Sequence, residues 1–459
     1  MARKLVFLLA MWLLICLSSS QTLAQDPPRG IHLTWARNDT AHTIVVSWKT
    51  SSAEAGDVVL YDTVSRGGNP DLYRFRAEGR HETYAGANGY FHHVELTGLE
   101  PDTRYYFICG GEQGGWSVER SFRTAPVKRK SFRFVVGGDC RRAGDYDYGS
   151  AIDIPPFPEI RNRISKLMAS FNPSFVIFVG DFVRDGFSQE QWDNWFEMVE
   201  WYWVDSEGVS IPIVPVIGNH EIGVWPQVQR TKDDARNYYG QFCLPEPESW
   251  YSLDWGPDLH ITVLNCQETF EVLKGEEKEW LWKDLKANAD KLWKVVAYHY
   301  PSFTEKSSAA AFPSEAWVKD GVFDIFHVDL VFNGHSHNYD RSEPINWLNP
   351  ENERITSPDK GTIYIVTGGW GAPLTGGSAY WYMAHGPEFR YHFVVVDVYE
   401  NGTLRVRAVD VDGNVFDEFS LHKQVKTPPA PREVPTLAIV GTAGAAVGIG
   451  AIAYALRRR

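Results

Sequence analysis

Cysteine is scarce in this chain, basic charge is outnumbered, and no internal repeat is present. Five cysteines in 459 residues, at spacings that fit no zinc-finger pattern, leave neither a disulfide scaffold nor a Cys-rich metal module to build the fold around. Asp and Glu exceed Lys and Arg by 58 to 45, for a net charge of −13. That balance excludes nucleic acid as the main partner, because phosphate backbones are held chiefly by basic surface. What is present is globular: 44% hydrophobic and 14% aromatic residues can bury a large core, which excludes disorder over most of the chain. The length fits two or three domains.

Both ends read as membrane signals. Arg3 and Lys4 precede thirteen uncharged apolar residues from Leu5 to Leu17, and Thr22-Leu23-Ala24 offers small residues at a cleavage position, so 1–24 is expected to be a secretory signal peptide. At ~1.5 Å per residue that run reaches about 20 Å, short of a ~30 Å hydrocarbon core. At the other end, the 23 residues from Val434 to Leu456 carry no charge and are followed by Arg457, Arg458 and Arg459. We expect a Pro-rich stalk over 425–433, a single transmembrane helix over 434–456 and a cytoplasmic basic tail over 457–459, with the rest extracellular. Asn38-Asp39-Thr40 and Asn401-Gly402-Thr403 are glycosylation sequons. Four cysteines then remain in an oxidising compartment, and Cys243 with Cys266 is the pair expected to bond.

The part between divides by periodicity. From 25 to 126, short alternating runs such as Thr43 to Trp48 are separated by Gly, Asn, Asp and Pro turns, the pattern of an all-β sandwich in which no catalytic grouping is visible. From 127 to 424 the pattern becomes strand, helix, strand. Ile160, Ile164, Leu167, Met168 and Phe171 recur at helical spacing before Asn172-Pro173. Ser188 and Gln191 form a capping box for a second helix carrying Trp192, Trp195, Phe196 and Val199, and a third is expected near Glu276 to Trp293. Strands return after Gly361, with hairpins at Asn401-Gly402 and Asp412-Gly413.

The chemistry sits where five apolar runs end. Phe132 to Val136 leads into Gly137-Gly138-Asp139, Phe175 to Val179 into Gly180-Asp181, and Ile213 to Ile217 into Gly218-Asn219-His220-Glu221. Trp293 to Tyr298 ends at His299, and Leu330 to Phe332 leads into Asn333-Gly334-His335-Ser336-His337. In α/β folds, ligands bind beyond the carboxyl ends of the strands, so the five motifs are expected to meet in one crevice. Their carboxylates, amide and imidazoles suit hard or borderline cations and are too many and too oxygen-rich for one closed structural zinc. Two ions sharing one carboxylate is the natural arrangement.

These blocks, above all Gly218-Asn-His-Glu221 and Gly334-His-Ser-His-Asn-Tyr-Asp-Arg341, resemble the calcineurin-like metallophosphoesterases. The added N-terminal region, with Trp48 and Leu99-Glu-Pro-Asp-Thr-Arg-Tyr-Tyr-Phe107 similar to a fibronectin type III core tryptophan and tyrosine corner, resembles the purple acid phosphatases among them. The resemblance implies an α/β metallophosphatase sandwich, two sheets flanked by helices, behind an all-β fibronectin type III-like sandwich. By its pattern Asp139 and His337 hold the first metal, Asp181 bridges, Asn219, His299 and His335 hold the second, and His220 lies near the leaving group. It implies a phosphomonoesterase, anchored to the membrane if 434–456 spans it as expected, in which a hydroxide held by two ions (Fe, Zn or Mn) attacks phosphorus. A phosphodiesterase of the same fold, or a surface binding protein with a degenerate site, are the alternatives.

Two positions depart from the family. Arg184 stands where a purple acid phosphatase has its colour-giving tyrosine, and Arg141 where other members have a histidine, so the first metal has only Asp139, Asp181 and His337 assigned. Arg141 and Arg184 are the candidate phosphate-binding residues, since guanidinium groups pair well with phosphate oxygens. Gly368-Gly-Trp-Gly-Ala-Pro373 resembles a pocket-edge loop, with Trp370 either an apolar wall or a packing residue.

Overall fold

A computed structural model describes residues 26–140, 157–224, 227–303, 313–375 and 378–425. The expected signal peptide, stalk, membrane span and tail lie outside these residues, save 425 of the stalk, as do Arg141 and Arg142. Among the described residues no helix is long and apolar enough to cross a membrane.

The N-terminal strands form two antiparallel sheets. One orders Arg29–Thr34, Ile44–Thr50, Tyr90–Leu96 and Arg80–Glu82; the other has Phe75–Glu78, Val58–Asp62, Arg104–Gly111 and Gly115–Trp116, with Arg120–Arg123 also on Arg104–Gly111. Ile44, Val46 and Trp48 fall on one face of their strand and are buried in the sandwich, and Val45 and Ser47 on the other face are buried as well. The tyrosine corner forms as expected, the Tyr105 hydroxyl accepting the Glu100 main-chain N–H at 2.9 Å.

Two further mixed sheets follow. In the first, Ile213–Pro215, Val176–Phe178 and Phe132–Gly137 run parallel and continue antiparallel into His392–Val398, Thr403–Asp410 and Val415–His422. In the second, Leu259–Val263, Trp293–Ala297, Leu330–Asn333 and Ile363–Thr367 are parallel, with Tyr251–Trp255 on one side and Tyr339–Ser342 and Met383–Glu388 on the other. Phe134 to Val136, Val176 to Phe178 and Val295 to Ala297 are fully buried. That explains why they read as continuous apolar runs rather than alternating ones: both faces are covered. The helices Phe157–Ala169 and Gln189–Tyr202 bury Ile164 and Met168, and Trp192, Trp195, Phe196 and Val199, as their spacing predicts.

Three expectations change. Ser188 makes no side-chain cap; the Gln191 amide oxygen instead accepts the Arg184 and Asp185 N–H groups at 2.9 and 3.1 Å, holding the loop before the helix. The third helical region runs from Phe270–Val272 through Leu273–Glu277 to Lys278–Ala287, and Trp293 opens a strand instead of ending a helix. Cys243 and Cys266 are not bonded: Cys109, Cys140, Cys243 and Cys266 are all free and buried. The Cys266 sulfur instead accepts the Tyr300 N–H at 3.0 Å.

Glu200, on the helix Gln189–Tyr202, ties that helix to the N-terminal strands. Its nearly buried carboxylate pairs with Arg120 at 2.7 Å and accepts the Gly30 N–H at 2.6 Å. Glu200→Ala strands the Arg120 charge, and we expect a loss of about 3 kcal/mol of stability, read from denaturant unfolding; an unchanged midpoint would show that the pair contributes nothing.

Candidate metal centre

Each of the five strand ends delivers its residue to one place. Asp139, Asp181 and His335 all sit in left-handed backbone, with φ of 59°, 56° and 67°. Non-glycine residues held there cost of order 1–3 kcal/mol each, and such strain concentrates at functional sites. Here it turns three side chains inward immediately after their strands. Crowding sets the neighbours: a Cβ on Gly180 (φ 95°) would lie 2.6 Å from His299 Nδ1, and one on Gly334 2.5 Å from the Asp139 carboxylate. Only glycine leaves room for the ligand beside it.

Two donor clusters result, and they share a member. Asp181, His299 and His335 form one; Asp139, Asp181 and His337 form the other, the donor atoms within each lying within 4.8 Å of one another. Asn219 completes the first, its amide oxygen 3.0 Å from His299 Nε2 and 3.1 Å from His335 Nδ1. His299 Nε2 is 3.2 Å from Asp181, and His337 Nε2 is 3.4 Å from Asp139.

Main-chain oxygens aim the imidazoles. His299 Nδ1 donates to Val179 O at 2.7 Å and His337 Nδ1 to Pro373 O at 2.6 Å, which leaves each Nε2 lone pair pointing into the cleft, as metal-ligating histidines require. The Asn219 amide nitrogen donates to Gln227 Oε1 at 3.2 Å and so turns its oxygen inward. His220 belongs to this group too. Its Nδ1 donates to the Arg184 main-chain oxygen at 2.6 Å, its Nε2 is 3.9 Å from Asp181, and its own N–H donates to Asp181 at 3.1 Å.

The donor set fits cations. Asp139 and Asp181 are essentially without solvent exposure. Burial disfavours the His299 imidazolium, yet the charge and hydrogen bond of Asp181, with Asp139, hold its pKa up at about 9. A site that draws a proton onto a buried imidazole is short of positive charge, which metal ions supply.

Sequence reasoning passed over several supports. The Glu221 carboxylate is buried and accepts the N–H groups of Asp181 (2.9 Å), Phe182 (2.9 Å) and Gly218 (2.8 Å), locking the two ligand-bearing loops together. Burial, and then the Asp181 charge, push its pKa up to about 8. Its place in the Gly-Asn-His-Glu block was the available signal. Gln227 and the Pro373 carbonyl, by contrast, carry no sequence mark. Tyr300 packs edge-on to His335, ring centroids 4.6 Å apart. Trp370 is fully buried against Phe178, Trp203 and Phe393, so it packs; its loop serves the site through the Trp370 and Ala372 N–H bonds to the Gly138 and Asp139 oxygens. Arg184 is half-buried and serves through its carbonyl.

Known proteins share this plan. Residues 28–124 match the family Purple acid Phosphatase, N-terminal domain, and residues 132–339 match Calcineurin-like phosphoesterase. A phosphoenolpyruvate phosphatase of Allium cepa is 28% identical over 379 residues, covering 76% of this chain and 70% of that protein. The Fe(3+)-Zn(2+) purple acid phosphatase 12 of Arabidopsis thaliana is 26% identical over 376 residues, covering 75% and 72%. The solved structure of purple acid phosphatase PPD1 from yellow lupin (Lupinus luteus) seeds matches with a TM-score of 0.71 at 20% identity, over 87% of this chain and 75% of that one. Fold, donor set and kinship define a calcineurin-like metallophosphoesterase. Within that class the chain is purple acid phosphatase-like: a metal-dependent phosphoric ester hydrolase with donor groups for a pair of divalent or trivalent metal ions.

Glu221→Gln places an N–H₂ group where three backbone donors need an acceptor. We expect turnover to fall about 10- to 100-fold with weakened metal retention, and stability to fall by about 1–3 kcal/mol. Paired kinetic and metal analyses check this; unaltered values for both would remove the supporting role.

Proposed function

We propose that this protein is an extracellular, membrane-anchored phosphomonoesterase. The observation that supports it best is the pair of donor clusters meeting at Asp181. In this reading Asp139 and His337 would hold one metal and Asn219, His299 and His335 the other, with Asp181, which belongs to both donor clusters, serving both. The ions are Fe, Zn or Mn. When bound, they supply Lewis acidity that activates a water and neutralises phosphoryl charge. Asn219 adds a ligand without adding charge, leaving the site positive enough for a phosphate anion.

The remaining work falls to His220. Its Nδ1–H is committed to the Arg184 carbonyl, so Nε2 is the atom that carries and releases a proton on the cleft side. Protonated there, it donates to the departing alkoxide, a contribution of about 10² to 10⁴ in rate. Arg141 and Arg184 are retained as phosphate-binding candidates for their guanidinium chemistry.

The topology belongs to the same proposal. We assign 1–24 to a signal peptide, 25–126 to the fibronectin type III-like domain, 127–424 to the catalytic domain, and 425–433, 434–456 and 457–459 to stalk, transmembrane helix and cytoplasmic tail. The support is the 23-residue uncharged run ending in three arginines.

Purified protein assayed with aryl phosphate mono- and diesters across metals tests the activity. We expect the monoester to be the better substrate and Asp181→Asn to abolish turnover with the circular dichroism spectrum unchanged; a preference for the diester would replace the substrate class, and a fully active variant would remove the shared-carboxylate reading. His220→Ala should cost about 10²-fold or more with poor leaving groups and much less with p-nitrophenolate, which needs little protonation. A loss independent of leaving group would exclude proton donation. With Arg184 in place of the tyrosine, iron-loaded protein should lack a tyrosinate charge-transfer band.

A further inference from the structure

The N-terminal sandwich holds a second convergence of ligand-type side chains that shares no residue with the phosphoesterase centre. His81 and His92 are direct partners across the antiparallel pair Arg80–Glu82 and Tyr90–Leu96. Asp57 reaches them from the opposite sheet, one residue before the strand Val58–Asp62. A carboxylate oxygen and one ring nitrogen from each histidine lie within 4.8 Å of one another. Asp57 contacts His92 Nδ1 at 2.5 Å through one oxygen and His81 Nδ1 at 2.8 Å through the other.

The surroundings of His92 decide what this cluster is for. The ring is fully buried and lies parallel to Trp48 at 3°, centroids 5.1 Å apart, so it cannot turn. Its Nε2 is 2.6 Å from the Thr50 hydroxyl, which is itself 2.8 Å from the Ser52 carbonyl. The carbonyl can only accept, and the hydroxyl has one proton. Both contacts are therefore satisfied together only when Thr50 donates to Ser52 and His92 Nε2–H donates to Thr50. A neutral His92 in that tautomer points the Nδ1 lone pair at a carboxylate oxygen. Two lone pairs facing each other need a positive charge between them.

We propose that Asp57, His81 and His92 form a further divalent-cation site, of the zinc type, that fastens the two sheets of the N-terminal sandwich to each other. Two imidazoles and one carboxylate suit zinc over the harder cations. The Thr50 contact is the outer hydrogen bond that a ligating histidine makes through its other nitrogen. Entry is open on one side, because the His81 and Asp57 side chains retain 32% and 25% of their exposure. That side also leaves a fourth position for water. Ligand atoms around a tetrahedral zinc at about 2.0 Å stand roughly 3.3 Å apart, so the carboxylate contacts of 2.5 and 2.8 Å need lengthen by about 0.8 and 0.5 Å.

The test is the zinc content of the full-length chain against its His81→Gln variant, after equilibration with zinc and removal of the excess. We expect the variant to hold one equivalent less with aryl phosphatase turnover unchanged. Equal content in the two proteins would overturn the site and leave an aspartate hydrogen-bonded by two histidines. Diffraction from the wild-type protein at the zinc absorption edge decides the matter independently of how the variant folds. An anomalous peak among the three donor atoms supports the site, and a zinc-soaked crystal without one overturns it.

Discussion

Everything in the catalytic half depends on two buried carboxylates being brought together without solvent. Asp139 and Asp181 follow adjacent parallel strands, so the sheet that holds the fold together also forces like charges into one cleft. Like charges at that depth are tolerable only when cations neutralise them. The left-handed backbone at both aspartates adds to the cost. Structure and cofactor are therefore one problem: the protein is strained toward a geometry that metal ions relieve.

The two sheets contribute different things. The first supplies Asp139, Asp181 and Asn219, the oxygen donors; the second supplies His299, His335 and His337, the nitrogen donors. Contacts across the gap make them one unit. His299 from the second sheet donates to the Val179 oxygen of the first, and the His335 N–H donates to the Asp139 carboxylate at 3.0 and 2.9 Å. The His299 imidazole is thus aimed by the same segment that provides the shared carboxylate.

Much of this was legible in the sequence, for a physical reason. Strands buried on both faces are long apolar runs, glycine followed by a polar residue marks where four of the five end, and the fifth stops directly at His299, so the six expected metal ligands stand out. The helical stripes of Ile164 and Met168, and of Trp192 to Val199, were legible because their burial repeats with the turn of the helix. What escaped depends on partners distant in sequence. Gln227 and the Pro373 oxygen act on Asn219 and His337 through contacts that leave no pattern. The Ser188 capping box failed because Gln191 found the Arg184 and Asp185 N–H groups instead. Asp57, His81 and His92 went unseen because alternation in a β-sandwich marks faces and says nothing of which residues meet across the gap between sheets.

The four unpaired cysteines have a consequence of their own. Burial pushes the thiols of Cys109, Cys140 and Cys266 up to about 12 and that of Cys243 up to about 11. At neutral pH only about one molecule in 10⁴ to 10⁵ then carries a reactive thiolate at any of them. The described fold is accordingly indifferent to the redox poise of the medium in which it matures: it needs no oxidase to reach its native state, and glutathione finds nothing in it to exchange with.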